Sequence, residues 1–251
     1  MSKISAKNAV ILVGGYNLST YFTNYEVTES HNPIDVTGFT DGCNNAIPGI
    51  YSGSITGNAI WDNTAGKSYP VLKELVGSTT GGSITILLEG TTAGQKTVSL
   101  PYTEGGITIS GSPTTHISLG SINFSAYGAY EGVENGILLH HGAVTDSTTD
   151  AGVLFPQTDG AVTSKCAGTI HIWAACATDT YVVKIQDSAD DASYNDLVTF
   201  TLDGSAVGSE RVAVASGSVD KYVRVVAART GAAGDSFGFS VHFWREQTVT
   251  T

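Results

Sequence analysis

Short stretches in which hydrophobic and polar residues alternate run through most of the chain, separated by clusters of Gly, Ser, Asn, Asp and Pro. Alternation with a period of two is typical of β-strands that bury one face, and the intervening residue types favour turns. The pattern predicts strands at 9–13, 21–27, 49–61, 83–89, 96–100, 107–110, 117–127, 137–141, 152–155, 169–175, 181–187, 197–202, 211–215, 222–227 and 237–244. The first two are predicted to pair as a hairpin around Gly14-Gly15.

A single segment has the spacing of a helix, and it is predicted over residues 68–76. Pro70 suits the first helical position and Gly77 suits the position after the last residue, where a left-handed backbone is common. The apolar positions Val71, Leu72, Leu75 and Val76 form one stripe. Because about two turns are marginal alone, we expect this helix to be held by packing on a sheet.

The order of elements indicates a mainly β protein. Strands, one helix and further strands predict a β-sandwich or barrel with one short packed helix, followed by a C-terminal all-β sandwich. An acidic, glycine-rich stretch at 130–136 suggests a boundary, which gives predicted domains at 1–135 and 136–251. In the strand at 117–127 the candidate core residues are Ile117, Leu119, Phe124 and Tyr127.

The stretch from residue 29 to residue 48 interrupts the strand pattern, and it is predicted to be a long irregular loop. A polar loop of this length inside a compact domain is usually functional or disordered. Its apolar residues argue against plain disorder, so we expect a projecting loop that becomes ordered against another copy of the protein. The candidate inter-subunit residues are Pro33, Asp35, Phe39, Asp41, Asn44, Ile47 and Pro48.

Charge and composition exclude several classes of protein. Charged residues make up only 14% of the chain, and the formal net charge is −11. The twelve Lys and Arg residues are scattered, so stable DNA binding is not expected, although an acidic surface could line a conduit for DNA. The N-terminal apolar run at 9–13 is too short for a signal peptide or a membrane span, which predicts a soluble protein without a membrane anchor.

The three cysteines, Cys43, Cys166 and Cys176, form no CxxC pair. An odd, sparse count argues against a disulfide framework and favours assembly in a reducing cytoplasm. Pairing of Cys166 with Cys176 remains open at this stage.

Catalytic and cofactor motifs are weak throughout, and neither an enzyme nor a bound cofactor is predicted. Gly66-Lys67-Ser68 resembles the end of a phosphate-binding loop, but Trp61 stands where that motif needs glycine. The adjacent His140 and His141 would point to opposite faces of a strand and could hardly share a metal ion. Asp187, Asp190 and Asp191 are the densest oxygen ligands and a weak calcium candidate, against a simpler interpretation as a polar hairpin.

Two tryptophans provide an alternative. Trp173 and Trp244 could form a surface platform on which a carbohydrate stacks, although buried aromatic residues are more common in a sandwich. This would make the chain a binding or adhesion module.

Several segments in both halves of the chain form a further pattern. The first half carries Asp35-Val-Thr-Gly-Phe-Thr-Asp-Gly-Cys, then Ile47-Pro-Gly-Ile, a glycine-rich strand that ends in Ile60-Trp61-Asp62, the short helix, and residues 117–127. The second half carries Val183-Lys-Ile-Gln-Asp-Ser-Ala-Asp190 and Val219-Asp-Lys-Tyr-Val-Arg-Val. Together these segments cover most of the chain and resemble the major tail tube proteins of long-tailed bacteriophages. With this resemblance, the alternative based on the two tryptophans becomes a virion decoration or adhesion module.

The resemblance implies a subunit that forms stacked hexameric rings, and these rings build a tube through which the genome passes. It implies that the long loop reaches a neighbouring ring and that the C-terminal domain lies on the tube exterior. The partners it implies are further copies of the chain, the tip, terminator and tape-measure proteins, and DNA in transit only. The implied location is the virion tail, after assembly in the host cytoplasm.

Overall fold

The computed structural model describes residues 5–40, 42–78, 81–126, 132–155, 162–231 and 234–246. Within these ranges the chain is mainly β, with antiparallel sheets and one α-helix, which confirms the predicted fold class. The helix α1 spans Ser68–Leu75, and a 3-10 turn spans Ala6–Asn8. The strands are β1 Val10–Val13, β2 Tyr16–Asn17, β3 Phe22–Asp35, β4 Ala46–Ile60, β5 Gly82–Leu87, β6 Lys96–Glu104, β7 Thr108–Ser110, β8 Ser118–Ala126, β9 Glu134–Val144, β10 Thr148–Thr149, β11 Val153–Leu154, β12 Val162–Ala174, β13 Thr180–Ser188, β14 Asn195–Thr199, β15 Gly208–Val219, β16 Tyr222–Thr230 and β17 Phe237–Arg245.

The chain divides into two compact units, and neither of them is continuous in sequence. The first unit contains residues 1–20, 82–99 and 134–251, and the second contains residues 21–81 and 100–133. The strand β6 contributes residues to both units. The predicted domains at 1–135 and 136–251 remain a prediction about which parts fold independently.

The first unit contains two sheets. One follows the order β15-β12-β17-β9-β6-β5-β1-β2, and the other follows β10-β16-β13-β14, with β11 also paired to β16. The main core lies between them and is built from alternate residues of both sheets. In β17 the predicted shared face is confirmed, because the following side chains are all fully buried: Phe237, Phe239, Val241 and Phe243.

The second unit contains the helix α1 and four strands, β3, β4, β7 and β8, that branch from the twelve-stranded sheet. Here β4 pairs with β3 on one side and with β8 on the other, while β8 also pairs with β7 and with the end of β6. The ring of Tyr102 meets the ring of Phe124 edge to face, with centroids 4.6 Å apart. Val71 and Leu72 of α1 are buried, and Gly77 has φ +74, so the predicted helix end is confirmed.

Two local predictions are wrong. The segment 21–27 does not pair with 9–13, because β1 forms a tight hairpin with β2 through Gly14-Gly15 and pairs on its other side with β5. Both glycines have positive φ, which suits a two-residue turn. Both edges of β1 are therefore occupied, one by β2 and the other by β5. Leu119 and Phe124 are fully buried as predicted, but Ile117 is 48% exposed because it lies just outside β8. Tyr127 lies outside the described residues.

Candidate assembly surface

The segment predicted as an irregular loop is mostly a long β-hairpin. Strands β3 and β4 pair from Phe22–Ala59 to Asp35–Ala46, and only residues 36–45 connect them. We call the exposed hairpin of residues 29–50 the arm. The prediction failed because prolines were taken to exclude a regular element. In the structure Pro33 and Pro48 face each other where the register shifts, and such irregularities tolerate a missing N–H.

The end of the arm is fixed by hydrogen bonds among three residues. The Asp35 carboxylate accepts hydrogen bonds from the backbone N–H of Thr37 at 2.9 Å and from its hydroxyl at 2.5 Å. The Thr37 hydroxyl in turn accepts from the backbone N–H of Asn45 at 2.8 Å. These bonds to Thr37 lower the pKa of Asp35, so the ionised carboxylate holds the turn closed.

At the base of the arm, side chains as well as backbone hydrogen bonds connect β3 with β4. The hydroxyls of Ser30 and Ser52 lie 2.8 Å apart, and the rings of His31 and Tyr51 meet edge to face at 5.1 Å. Burial, with a hydrogen bond to Glu29, raises the pKa of Tyr51 to about 12. The phenol therefore stays protonated at physiological pH.

The arm exposes an unusual amount of apolar surface for so short a segment. Isolated exposed hydrophobic residues are normal, but several on one projecting element mark an interaction site. Fractional exposures along the arm are 50% at Ile34, 44% at Val36, 113% at Phe39, 49% at Ile47 and 85% at Ile50. Among the described residues, these side chains therefore keep about half or more of their surface exposed.

The candidate inter-subunit residues fall at defined places on the arm. Phe39 and Ile47 belong to the exposed apolar set, Asp35 holds the turn, and Asn44 is exposed in the connection. Pro33 and Pro48 lie opposite each other in the ladder. Asp41 lies outside the described residues. Their role between subunits remains a prediction.

The two tryptophans of the alternative hypothesis are not brought together. Trp244 is level with Ala167 on β12, six residues along that strand from Trp173, which corresponds to about 20 Å. The ring of Trp173 lies over the backbone of Gly238, where a Cβ would come within 2.5 Å of it, and its indole Nε1 is buried. A single platform from both rings is therefore absent, while carbohydrate binding by either one stays a prediction.

The three aspartates of the calcium candidate each have partners of their own. Asp187 accepts from the backbone N–H of Asp220 at 2.8 Å, and burial raises its pKa. Asp190 accepts from the N–H groups of Ala192 and Ser193, while Asp191 pairs with the hydroxyl of Tyr194. Among the described residues, no group of three or more His, Cys, Asp or Glu converges on a point suited to a metal ion.

The histidine pair, the segment that resembles a phosphate-binding loop and the cysteines all lie in ordinary structural positions. His140 contacts Asp150 at 2.8 Å, whereas His141 contacts Ser240 at 2.5 Å across a different face of β9. The Ser68 hydroxyl donates to the carbonyl of Ile60 at 2.6 Å, at an ordinary helix start. Cys166 and Cys176 are free, buried thiols, and Cys43 is a free, exposed thiol.

A buried polar cluster in the first unit was missed by sequence reasoning. His171 Nε2 lies 2.8 Å from the hydroxyl of Thr85, which lies 2.9 Å from that of Ser99. His242 Nδ1 contacts the hydroxyl of Thr97. Burial lowers the pKa of both histidines to about 3, so both are neutral at physiological pH. The alternation placed these residues on the polar side of β12 and β17, but the first sheet curls so that this side is enclosed too.

A second buried group lies in the other unit. Glu104 is 4% exposed, and neither of its carboxylate oxygens has a hydrogen-bond partner. Burial raises the pKa of Glu104 to about 7, with a smaller opposing effect of Lys73. No sequence signal distinguishes this glutamate from an exposed one at the end of a strand.

No helix in the described ranges is both long and apolar enough to cross a membrane.

Comparisons with known proteins give only distant likenesses. No family model and no curated protein matches the chain. A solved structure of the virion of a native gene transfer agent particle is 14% identical over 51% of this chain and 96% of the other, with a TM-score of 0.42. The tail of an empty gene transfer agent particle, refined with C6 symmetry, gives the same identity and coverage and a TM-score of 0.40.

The third likeness is to the Dit protein of phage SPP1, described as part of a hub adsorption apparatus in phages that infect Gram-positive hosts. It is 12% identical over 95% of this chain and 99% of the other, with a TM-score of 0.32. At these TM-scores and identities, none of the three likenesses establishes a family for the chain.

Proposed function

We propose that this chain is a structural subunit of a bacteriophage-type tail, and that it polymerises through the arm. The observation that carries the proposal is the exposure of Ile34, Phe39 and Ile50 on a hairpin whose end is held in one conformation. An ordered apolar projection is stabilised when it is buried against a partner, and a preorganised one loses less entropy on binding. The obvious partner for a structural subunit is another copy.

In its finer form the proposal is a tail tube of stacked hexameric rings that conducts the genome. The tail-tube resemblance of the sequence supports this form. The net charge of −11 fits a tube through which DNA slides without binding to the wall. We propose the tip, terminator and tape-measure proteins as further partners, the virion tail as the location, and assembly in the host cytoplasm. The proposed role involves no catalysis.

The test is to shorten the arm without disturbing its base. Replacing residues 36–45 by Asn-Gly would close β3 and β4 with a two-residue turn suited to a hairpin. A point variant, Phe39→Asp, places a charge on a side chain that has no burial to lose within its own unit. We expect both proteins to fold, and to remain monomeric at concentrations where the unaltered chain forms rings or tubes by negative-stain electron microscopy.

The matched control is Leu154→Asp, which introduces the same charge at an exposed apolar residue outside the arm, 56% exposed. This variant should still polymerise. Normal tubes from the shortened arm would overturn the proposal, as would an unaltered chain that stays monomeric at every concentration, even with preformed tail tips added as initiators.

A further inference from the structure

We infer that the arm of one copy docks on an apolar patch at the opposite end of the second unit in the next copy. The patch consists of Ile109 and Ile117, beside the stacked rings of Trp61 and Tyr69. This inference rests on the proposed function, because it names the surface that receives the arm.

The patch is exposed and continuous with the core of its unit. Ile109 is 51% exposed and Ile117 is 48% exposed. Ile109 pairs with the fully buried Leu119, so its side chain extends the face that Leu119 presents to the core. The strand β7 pairs with β8 alone among the described strands, which leaves the patch at a sheet edge.

The neighbouring aromatic rings add a rigid wall. The rings of Trp61 and Tyr69 are stacked with centroids 3.7 Å apart, and both residues are half-buried. The backbone N–H of Trp61 donates to the carbonyl of Ile117 at 3.0 Å, which places the rings beside the patch. Rigid aromatic groups next to exposed aliphatic ones are typical of the centres of protein interfaces.

The register of the sheet shows that no copy can cover its own patch. The end of β4 beside the connection of the arm is Ala46, whereas Ile60 at the other end of β4 pairs with Ser118, next to the patch. These two ends of β4 are fourteen residues apart, or about 45 Å in an extended strand. The occupant therefore comes from another molecule, and a contact between unlike surfaces generates a ring or a filament.

Charge does not oppose the same pairing. The arm carries Glu29 and Asp35, and the sequence has no Lys or Arg between residues 8 and 66. Around the patch, residues 105–117 contain no Asp or Glu, while Lys67 and His116 lie nearby in the chain. Asp62 is the neighbouring carboxylate, and it accepts hydrogen bonds from the Tyr21 hydroxyl at 3.1 Å and the Thr64 N–H at 2.9 Å.

The native cysteines allow a direct test. Cys43 is exposed in the connection at the end of the arm, whereas Cys166 and Cys176 are buried. Wild-type protein would be mixed with an affinity-tagged variant that carries Cys43→Ser and Ile117→Cys, under conditions where wild-type protein polymerises. A short bis-maleimide should then join Cys43 of one copy to position 117 of the other and give a heterodimer of distinct mass. A second variant with Ile109→Cys in place of Ile117→Cys repeats the test.

The control replaces the patch cysteine by Ser193→Cys in the Cys43→Ser background, which places a thiol on an exposed turn of the first unit. It should give at least tenfold less heterodimer. Polymers that yield no heterodimer with either patch variant, or only dimers through Cys43 of both copies, would overturn the docking while leaving the proposed function standing. A wild-type protein that never polymerises would overturn both.

A charge variant gives an independent measurement. Ile109→Asp combined with Ile117→Asp should abolish polymers while the melting temperature stays close to that of the unaltered chain, since both side chains are half exposed. Normal polymers from this double variant would contradict the inference. A folded double variant mixed with arm-shortened protein should also form no polymers.

Discussion

The buried histidines His171 and His242 make the first unit sensitive to acid. In the folded chain burial lowers their pKa to about 3, whereas in the unfolded chain they bind protons near the ordinary value of 6.5. The unfolded state therefore gains protons first as the pH falls below 6.5. In that range, each histidine should lower the free energy of unfolding by about 1.4 kcal/mol for every pH unit that the pH falls.

Urea unfolding between pH 7 and pH 5 measures this slope. Replacing His242 by Gln keeps a polar side chain beside Thr97 and removes one of the two titrating groups. We expect the variant to lose stability with falling pH less steeply than the wild type, by up to about 1.4 kcal/mol per pH unit. Equal slopes in the two proteins would show that His242 is already protonated in the folded state.

Glu104 has the opposite effect on pH dependence. Its pKa rises from the ordinary value of 4.5 to about 7 because the carboxyl is buried. The folded state therefore holds a proton that the unfolded state has released, and this stabilisation is lost as the pH rises through 4.5 to 7. The free energy of unfolding of the wild-type protein should fall by about 1 to 3 kcal/mol through Glu104 between pH 5 and pH 8. Replacing Glu104 by Gln should abolish this decrease. The difference between the two unfolding curves isolates this group from the histidines.

Among the elements, the arm depends on a small cluster at its end. Replacing Asp35 by Ala removes the acceptor for two hydrogen bonds from Thr37. Because the cluster is exposed, we expect the global free energy of unfolding to change little. Limited proteolysis should nevertheless cut the connection several-fold faster, and polymers should form less readily. An unchanged cleavage rate would show that the ladder alone orders the arm.

The strands could be predicted from the sequence wherever one face meets the core. The alternation in β17 gave its buried aromatic face correctly, since Phe237 and Phe239 point the same way. It failed for the other face of that strand, where His242 is 1% exposed. Burial on both faces depends on the curl of the sheet, which local alternation does not encode.

The candidate site was predictable in its residues and not in its shape. Phe39 and Ile47 were identified because apolar side chains in a polar stretch need a partner. The hairpin was missed because Pro33 and Pro48 are read as breakers, and only the pairing of distant strands reveals that they coincide at a shift of register. Ile117 was assigned to the core because its exposure depends on where β8 begins.

For the molecule as a whole, the net charge of −11 opposes assembly while the apolar arm favours it. Charges on neighbouring copies repel, and salt screens this repulsion with a Debye length of about 10 Å at 0.1 M. We therefore expect the lowest concentration at which polymers form to fall several-fold when sodium chloride rises from about 0.05 to 0.5 M. Light scattering across a concentration series measures this threshold.

Sulfate separates the two contributions. At equal ionic strength it screens charge much as chloride does, but it also strengthens the burial of apolar surface. If the apolar arm holds the polymer together, sodium sulfate should lower the threshold further than sodium chloride. Phe39→Asp should stay monomeric in either salt at these concentrations. A threshold that rises with salt would instead mean that ion pairs between copies hold the polymer, and that the exposed side chains of the arm lie outside the contact.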